Sequence, residues 1–198
     1  MRSRAVGRSS LPIAPWMTVD ERVAGKQGGC VKPTSVEFAR FLTEWEPQVR
    51  RYLLWLEGDP GIIDDAAQET MISAHQYWGR VSRYENKRAW LFRVAGQRLS
   101  RAREARRRNG LSTDPHELPD KLDDRDALVC RVVRIDILDA VRKLPQQQAT
   151  AIALQLQFDY LLSDIAEIMG VSTGSVKTHL HHARKTLETL LADTDGGI

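Results

Sequence analysis

Apolar residues recur at three- and four-residue steps through most of this chain, the period of helices that bury one face. Phe38, Leu42, Trp45, Val49, Leu53 and Leu56 mark a first helix, which Pro47 should kink or divide. Glu57-Gly58-Asp59-Pro60 reads as a turn, with Asp59 suited to cap the next helix and Pro60 to open it. Ile63, Ala67, Thr70, Met71, Ala74, Trp78 and Val81 then mark a second helix. A third begins near Lys87, carries Trp90, Leu91, Val94, Ala95, Leu99 and Ala102, and runs out into arginines. Leu128, Val132, Ile135, Leu138 and Val141 begin a second group of helices. Leu144-Pro145 breaks that pattern, and Ala149, Ile152, Ala153, Leu156 and Phe158 resume it. Nowhere do apolar and polar residues alternate as in a strand, so the expected fold is all-α: two small helical domains joined by a flexible linker.

The domain limits follow from where the period stops. Residues 1–34 hold scattered Gly, Pro, Ser and Arg and read as a disordered arm. The first domain spans 35–108. Residues 109–126 are Asn, Gly, Pro, Ser and acids, a tether too polar to fold alone. The second domain spans 127–192, and 193–198 is a short tail.

The most informative stretch is 161–187. Ile165, Ala166, Ile168 and Met169 form the apolar side of one helix, and Gly170 can end it at positive φ. Ser172 is a suitable N-cap for the next. Val176, Leu180, Ala183 and Leu187 then give a buried helical stripe. The opposite face shows hydroxyls, His, Lys and Arg, and no acid stands between Glu167 and Glu188. A solvated helix usually mixes signs, whereas a helix against phosphates excludes carboxylates. This is a helix-turn-helix with a recognition helix, and duplex DNA is its implied partner.

Composition narrows the picture further. With 198 residues and 42% hydrophobic content, the chain suits one or two modest helical domains. No run approaches the roughly 20 apolar residues that span a bilayer. No signal peptide follows the basic start, and the isolated Cys30 and Cys130 fit a reducing cytoplasm. The net charge of +3 is small, but Arg98, Arg101, Arg103, Arg106, Arg107 and Arg108 crowd one segment, while 114–126 is acidic. His179 and His182 lie one turn apart without a neighbouring Cys, Asp or Glu to complete a metal set, so no metal site is expected. A glycine-rich phosphate loop and a nucleophile elbow are both missing, so the chain reads as a non-enzyme that needs no cofactor.

Three passages in register carry a family resemblance. They are Asp64-Asp65-Ala66-Ala67-Gln68-Glu69-Thr70-Met71, then Arg88-Ala89-Trp90-Leu91-Phe92-Arg93-Val94-Ala95, then Leu144-Pro145 followed by Asp164-Ile165-Ala166-Glu167-Ile168-Met169-Gly170-Val171-Ser172. Together the chain resembles a group 4, extracytoplasmic-function (ECF) sigma factor of bacterial RNA polymerase, over nearly all of 36–190. The resemblance implies a transcription initiation factor that works with core polymerase, through its clamp coiled coil and flap, and with promoter DNA. It also leaves room for an anti-sigma factor as a partner. By position in the family's region two, Asp65, Gln68 and Glu69 would face the clamp. Tyr84, Glu85, Asn86, Lys87, Arg88, Arg93, Gln97, Arg98 and Arg101 would read and melt the −10 element, and Phe92 is a candidate to stack bases. In region four, Ser172, Thr173, Ser175, Lys177, Thr178, His181, Arg184 and Lys185 would meet the −35 duplex.

Two departures from the family pattern carry expectations of their own. Leu161 and Leu162 stand where Ser and Tyr are common, so Asp159 or Ser163 would have to cap the first motif helix. Gly96 weakens the third helix by about 1 kcal/mol. The rival reading is a stand-alone helix-turn-helix repressor or activator, whose first domain would dimerise or sense a ligand.

Overall fold

The computed structural model describes residues 35–108 and 135–195, and every regular element among them is a helix. The expected arm 1–34, the tether 109–126 and the helix start at Leu128 and Val132 lie outside the described residues, as do both cysteines. Helices α1 (Ser35–Leu56), α2 (Pro60–Gln76), α3 (Trp78–Val81) and α4 (Lys87–Arg108) form an N-terminal bundle. Helices α5 (Ile135–Arg142), α6 (Gln146–Phe158), α7 (Leu162–Met169) and α8 (Thr173–Asp195) form a C-terminal one. The all-α expectation holds.

Pro47 does not divide α1. A proline removes one backbone donor, here the partner of the Thr43 carbonyl, but Thr43 and Pro47 both lie on the exposed side. The buried side, with Val49 and Leu53 fully covered, holds the two halves in one rod. The Asp59 carboxylate caps α2 as expected, accepting from the Gly61 and Ile62 amides at 2.8 and 3.3 Å, with Pro60 first in the helix. The single helix expected from Ile63 to Val81 is two, because the chain turns at Tyr77. The break brings Trp78 under Phe38 and Phe41, with ring centroids 5.2 and 4.8 Å away.

In the C-terminal bundle neither expected cap of α7 does that work. Asp159 instead ends α6 in the left-handed conformation, at φ 50°, and Ser163 lies inside α7. The N-cap position belongs to Leu161, which makes no side-chain bond. An acid tolerates left-handed backbone better than most side chains, so Asp159 serves the sharp turn rather than the cap. α8 continues through Asp195, into the expected tail, because no glycine or proline interrupts the chain between Val176 and Asp195.

The bundles share a seam. Phe92 of α4 is fully buried, its ring 4.9 Å from Phe158 and 5.9 Å from Tyr160. Trp55 Nε1 donates to Gln157 Oε1 at 3.0 Å. Arg142 reaches from α5 to the Leu54 carbonyl at 2.8 Å, satisfying one of the orphan carbonyls at the end of α1. Tyr52 is enclosed between the bundles and bonded to Thr150, and burial pushes its phenol up to about 12. Gly96 lies beside this phenol: a Cβ there would stand 3.4 Å from the Tyr52 hydroxyl, an ordinary contact distance.

Candidate nucleic-acid and polymerase interfaces

The helix-turn-helix forms as its residues dictate. Gly170 takes φ 69° and closes α7. Ser172 Oγ accepts from the Ser175 amide at 3.1 Å and so caps α8. Val176, Leu180, Ala183 and Leu187 are buried against α5, α6 and α7. What remains outward is the expected basic face. Thr173, Lys177, His181 and Lys185 recur every fourth residue as one exposed stripe. Ser172, Thr178 and Arg184 are exposed beside it, and Ser175 is half-buried. Some of these groups also hold the motif together. Ser175 Oγ lies 2.9 Å from Ser172 Oγ, Thr178 Oγ1 donates to the Gly174 carbonyl at 3.1 Å, and Arg184 Nη2 donates to Gln155 Oε1 at 2.9 Å.

On α2, the spacing i, i+3, i+4 puts Asp65, Gln68 and Glu69 on one exposed side. The inward side carries Thr70 and Ser73, both buried, whose hydroxyls return to the Ala66 and Glu69 carbonyls. The helix thus presents a polar, acid-rich strip on a tightly held frame.

The candidates around α4 divide into two groups. Tyr84 and Lys87 are half-buried, with Lys87 Nζ 3.4 Å from the Tyr84 carbonyl, while Glu85, Gln97 and Arg101 are exposed. Arg98 donates to Ser73 Oγ at 3.0 Å and is half-buried against α2. Asn86, Arg88 and Arg93 face α7. Asn86 Oδ1 accepts from the Ala89 amide at 3.1 Å, starting α4, and its Nδ2 donates to Glu167 Oε2 at 2.7 Å. Arg88 stands 3.6 Å from Asp164 and 5.0 Å over the Tyr160 ring. Arg93 donates through Nε to the Ile168 carbonyl at 2.9 Å and through Nη2 to the Glu167 carbonyl. Burial lowers the Arg93 pKa and Glu167 opposes that shift, while burial raises that of the Tyr160 phenol. Phe92 does not stack bases: it is core, packed on Tyr52 and Trp45 as well as Phe158. Trp90 is core too, as its position on the apolar stripe implies.

Comparison with known proteins accords with this arrangement. The Sigma-70 region 2 family matches residues 41–109, and the Sigma-70 region 4 family matches residues 134–187. The ECF RNA polymerase sigma factor SigL of Mycobacterium tuberculosis is 32% identical over 148 residues, covering 72% of this chain and 82% of SigL. The chain belongs to the ECF sigma factors of RNA polymerase. SigM of the same organism is 33% identical over 137 residues, 68% of this chain and 67% of SigM. The fold is shared with the sigma factor RpoE of Bartonella quintana, solved with the anti-sigma factor NepR. Its TM-score is 0.61 at 23% identity, over 79% of this chain and 97% of that one. The N-terminal bundle is therefore region 2 and the C-terminal bundle region 4.

An ECF sigma factor directs promoter-specific transcription, so the reading elements are the ones that matter. Four residues that join the regions had no signal in the sequence: Trp55, Arg142, Gln157 and Tyr160. Arg142 resembles any basic residue of a last helical turn, and Trp55 resembles any core tryptophan. Their shared role exists only once the helices are brought together.

Proposed function

We propose that this chain recruits core polymerase through Asp65, Gln68 and Glu69 of α2. It reads and melts the −10 element with Tyr84, Glu85, Asn86, Lys87, Arg88, Arg93, Gln97, Arg98 and Arg101, and reads the −35 duplex with the outward face of α8. The observation that carries this is the exposed, carboxylate-free stripe Thr173–Lys177–His181–Lys185 on a glycine-closed, serine-capped helix-turn-helix. Such a face meets phosphates without repulsion, and its first turn can enter a major groove. The N-terminal bundle supplies the second reader, so one chain spans both promoter elements. Its workplace is the cytoplasm, with the polymerase. No helix among the described residues is long and apolar enough to cross a membrane. A structural neighbour was solved with an anti-sigma factor, which supports a partner of that class for this chain.

The test is transcription in vitro with purified bacterial core polymerase on sheared genomic DNA, with sequencing of the transcript ends. Start sites that share a −35 and a −10 sequence, and appear only when the chain is added, are the expected result. Tight duplex binding by the isolated chain as a dimer, with start sites unchanged, would establish the rival regulator instead.

A further inference from the structure

Arg184 of α8 and Gln155 of α6 meet across the joint between their helices, where Arg184 Nη2 donates to Gln155 Oε1 at 2.9 Å. The bond is exposed, and an exposed bond adds little to stability because water offers the same partners. Its consequence lies in where it aims the guanidinium. A carboxylate stands within reach: Glu188 follows Arg184 by four residues, the spacing of a helical ion pair. The guanidinium turns instead to the amide of Gln155. A neutral acceptor fixes the group without cancelling its charge.

The place of Arg184 along α8 says what that charge can reach. It follows Thr173 by eleven residues, close to three turns, so the two stand on one face. At about 1.5 Å per residue they are about 16 Å apart along the axis. A major groove is about 12 Å wide. With the first turn of α8 at the base edges, Arg184 lies past the groove, against the phosphates that border it. An untethered arginine samples many rotamers, and ordering it on binding opposes the contact. Here both anchor points are firm. Ala183 and Leu187 are buried on either side of Arg184, and Gln155 is half-buried on α6. Arginine carries several N–H donors, so one bond to Gln155 leaves others for a phosphate oxygen.

We propose that Gln155 is a positioning residue for −35 reading: it holds the Arg184 guanidinium, its charge intact, toward the phosphates beside the groove. This rests on the −35 assignment of α8 made above.

The test uses the full chain bound to core polymerase, with a fluorescein-labelled promoter duplex taken from the start-site mapping and anisotropy read across a salt series. Arg184→Ala should weaken binding about tenfold and lower the slope of log K against log salt by about one, as the loss of one phosphate contact requires. Gln155→Met keeps the bulk and removes the acceptor. It should weaken binding about threefold with the slope unchanged, because the charge remains and only its aim is lost. Gln155→Glu keeps the bond and cancels the charge, so it should weaken binding and lower the slope as Arg184→Ala does. Gln155→Met combined with Arg184→Ala should bind no worse than Arg184→Ala alone, since both act through one contact.

Parental affinity in Gln155→Met overturns the proposal and leaves α8 as the −35 reader. A double variant that loses the product of the two single effects also overturns it, for Gln155 would then act apart from Arg184. Should Gln155→Met melt below the parent by circular dichroism, Gln155→Glu decides in its place, and parental affinity and slope in that variant sink the proposal. An Arg184→Ala variant that binds and initiates as the parent does removes Arg184 from −35 reading and takes the proposal with it, while Lys177→Glu scores the rest of that face separately.

Discussion

α4 and α8 both carry a basic face at helical spacing, yet the two faces are used differently. The outward stripe of α8 is exposed, and the bonds its neighbours make stay within region 4. The face of α4 that begins at Asn86 lies against region 4, and its guanidinium groups serve as helix caps and ring partners. α8 sits at the rim of its bundle, so one buried stripe is enough to hold it. α4 runs through the middle, packed on α1 and α2 on one side and on α7 on another. A polar face on a central helix is therefore not automatically a solvated one. Arginine in particular can cover a neighbouring helix end as readily as it can meet phosphate.

The largest test of this contrast removes the support of the open face. Leu180 is buried beneath the basic stripe, and Leu180→Ala should destabilise region 4 by about 3 kcal/mol. Four of the five tryptophans, Trp45, Trp55, Trp78 and Trp90, lie in region 2 and none lies in region 4, so the change in their fluorescence follows region 2. Helix content should fall at a lower temperature than the tryptophan signal shifts. Coincident transitions would show the regions to be a single cooperative unit.

Alkaline titration probes the seam. Tyr52 has its phenol raised to about 12, against about 10 in an unfolded chain, because burial disfavours the phenolate. The folded form therefore prefers the proton. The stability this confers is fully present below pH 10 and is lost as pH rises from about 10 to about 12, a change of roughly 2–3 kcal/mol. Urea midpoints measured across that window should fall in the parent and fall less in Tyr52→Phe.

A smaller effect separates the two faces in function. Lys177→Glu places an acid on the exposed stripe of α8, and should reduce run-off transcription roughly tenfold at promoters that need the upstream element. Promoters read through the −10 element alone should be spared; equal loss at both would move Lys177 out of −35 reading. The smallest effect concerns the frame of region 2. Asp59→Ala removes the cap of α2 and should lower stability by about 1 kcal/mol, visible as a modest drop in melting temperature. An unchanged melting temperature would mean that Pro60 alone fixes that helix start.

Much of this molecule was legible before any coordinates. The helix period located α1, α2, α4 and the helix-turn-helix, because each buries a stripe set by spacing alone. Asp59, Gly170 and Ser172 do the local work their side chains allow, since caps and left-handed turns depend on a few neighbouring residues. The break at Tyr77 and the cap of α7 were not legible. The first depends on where Trp78 must pack, and the second on how tightly α6 turns into α7. The role of Phe92 was open for the same reason, since an aromatic ring that stacks a base and one that fills a core look alike in one dimension.

The order of residues by itself determined the helices, the two bundles, the turn that makes the DNA-reading motif and the sign of its outward face. These depend on interactions within a few positions along the chain. Only the tertiary structure decided that Arg93 and Arg142 exchange caps across the seam, that Asn86 and Arg88 meet α7, and that part of the polar face of α4 is covered while the stripe of α8 is open. Residues so far apart in sequence have no spacing rule between them; what joins them is the requirement that buried donors, acceptors and helix ends find partners once the bundles close.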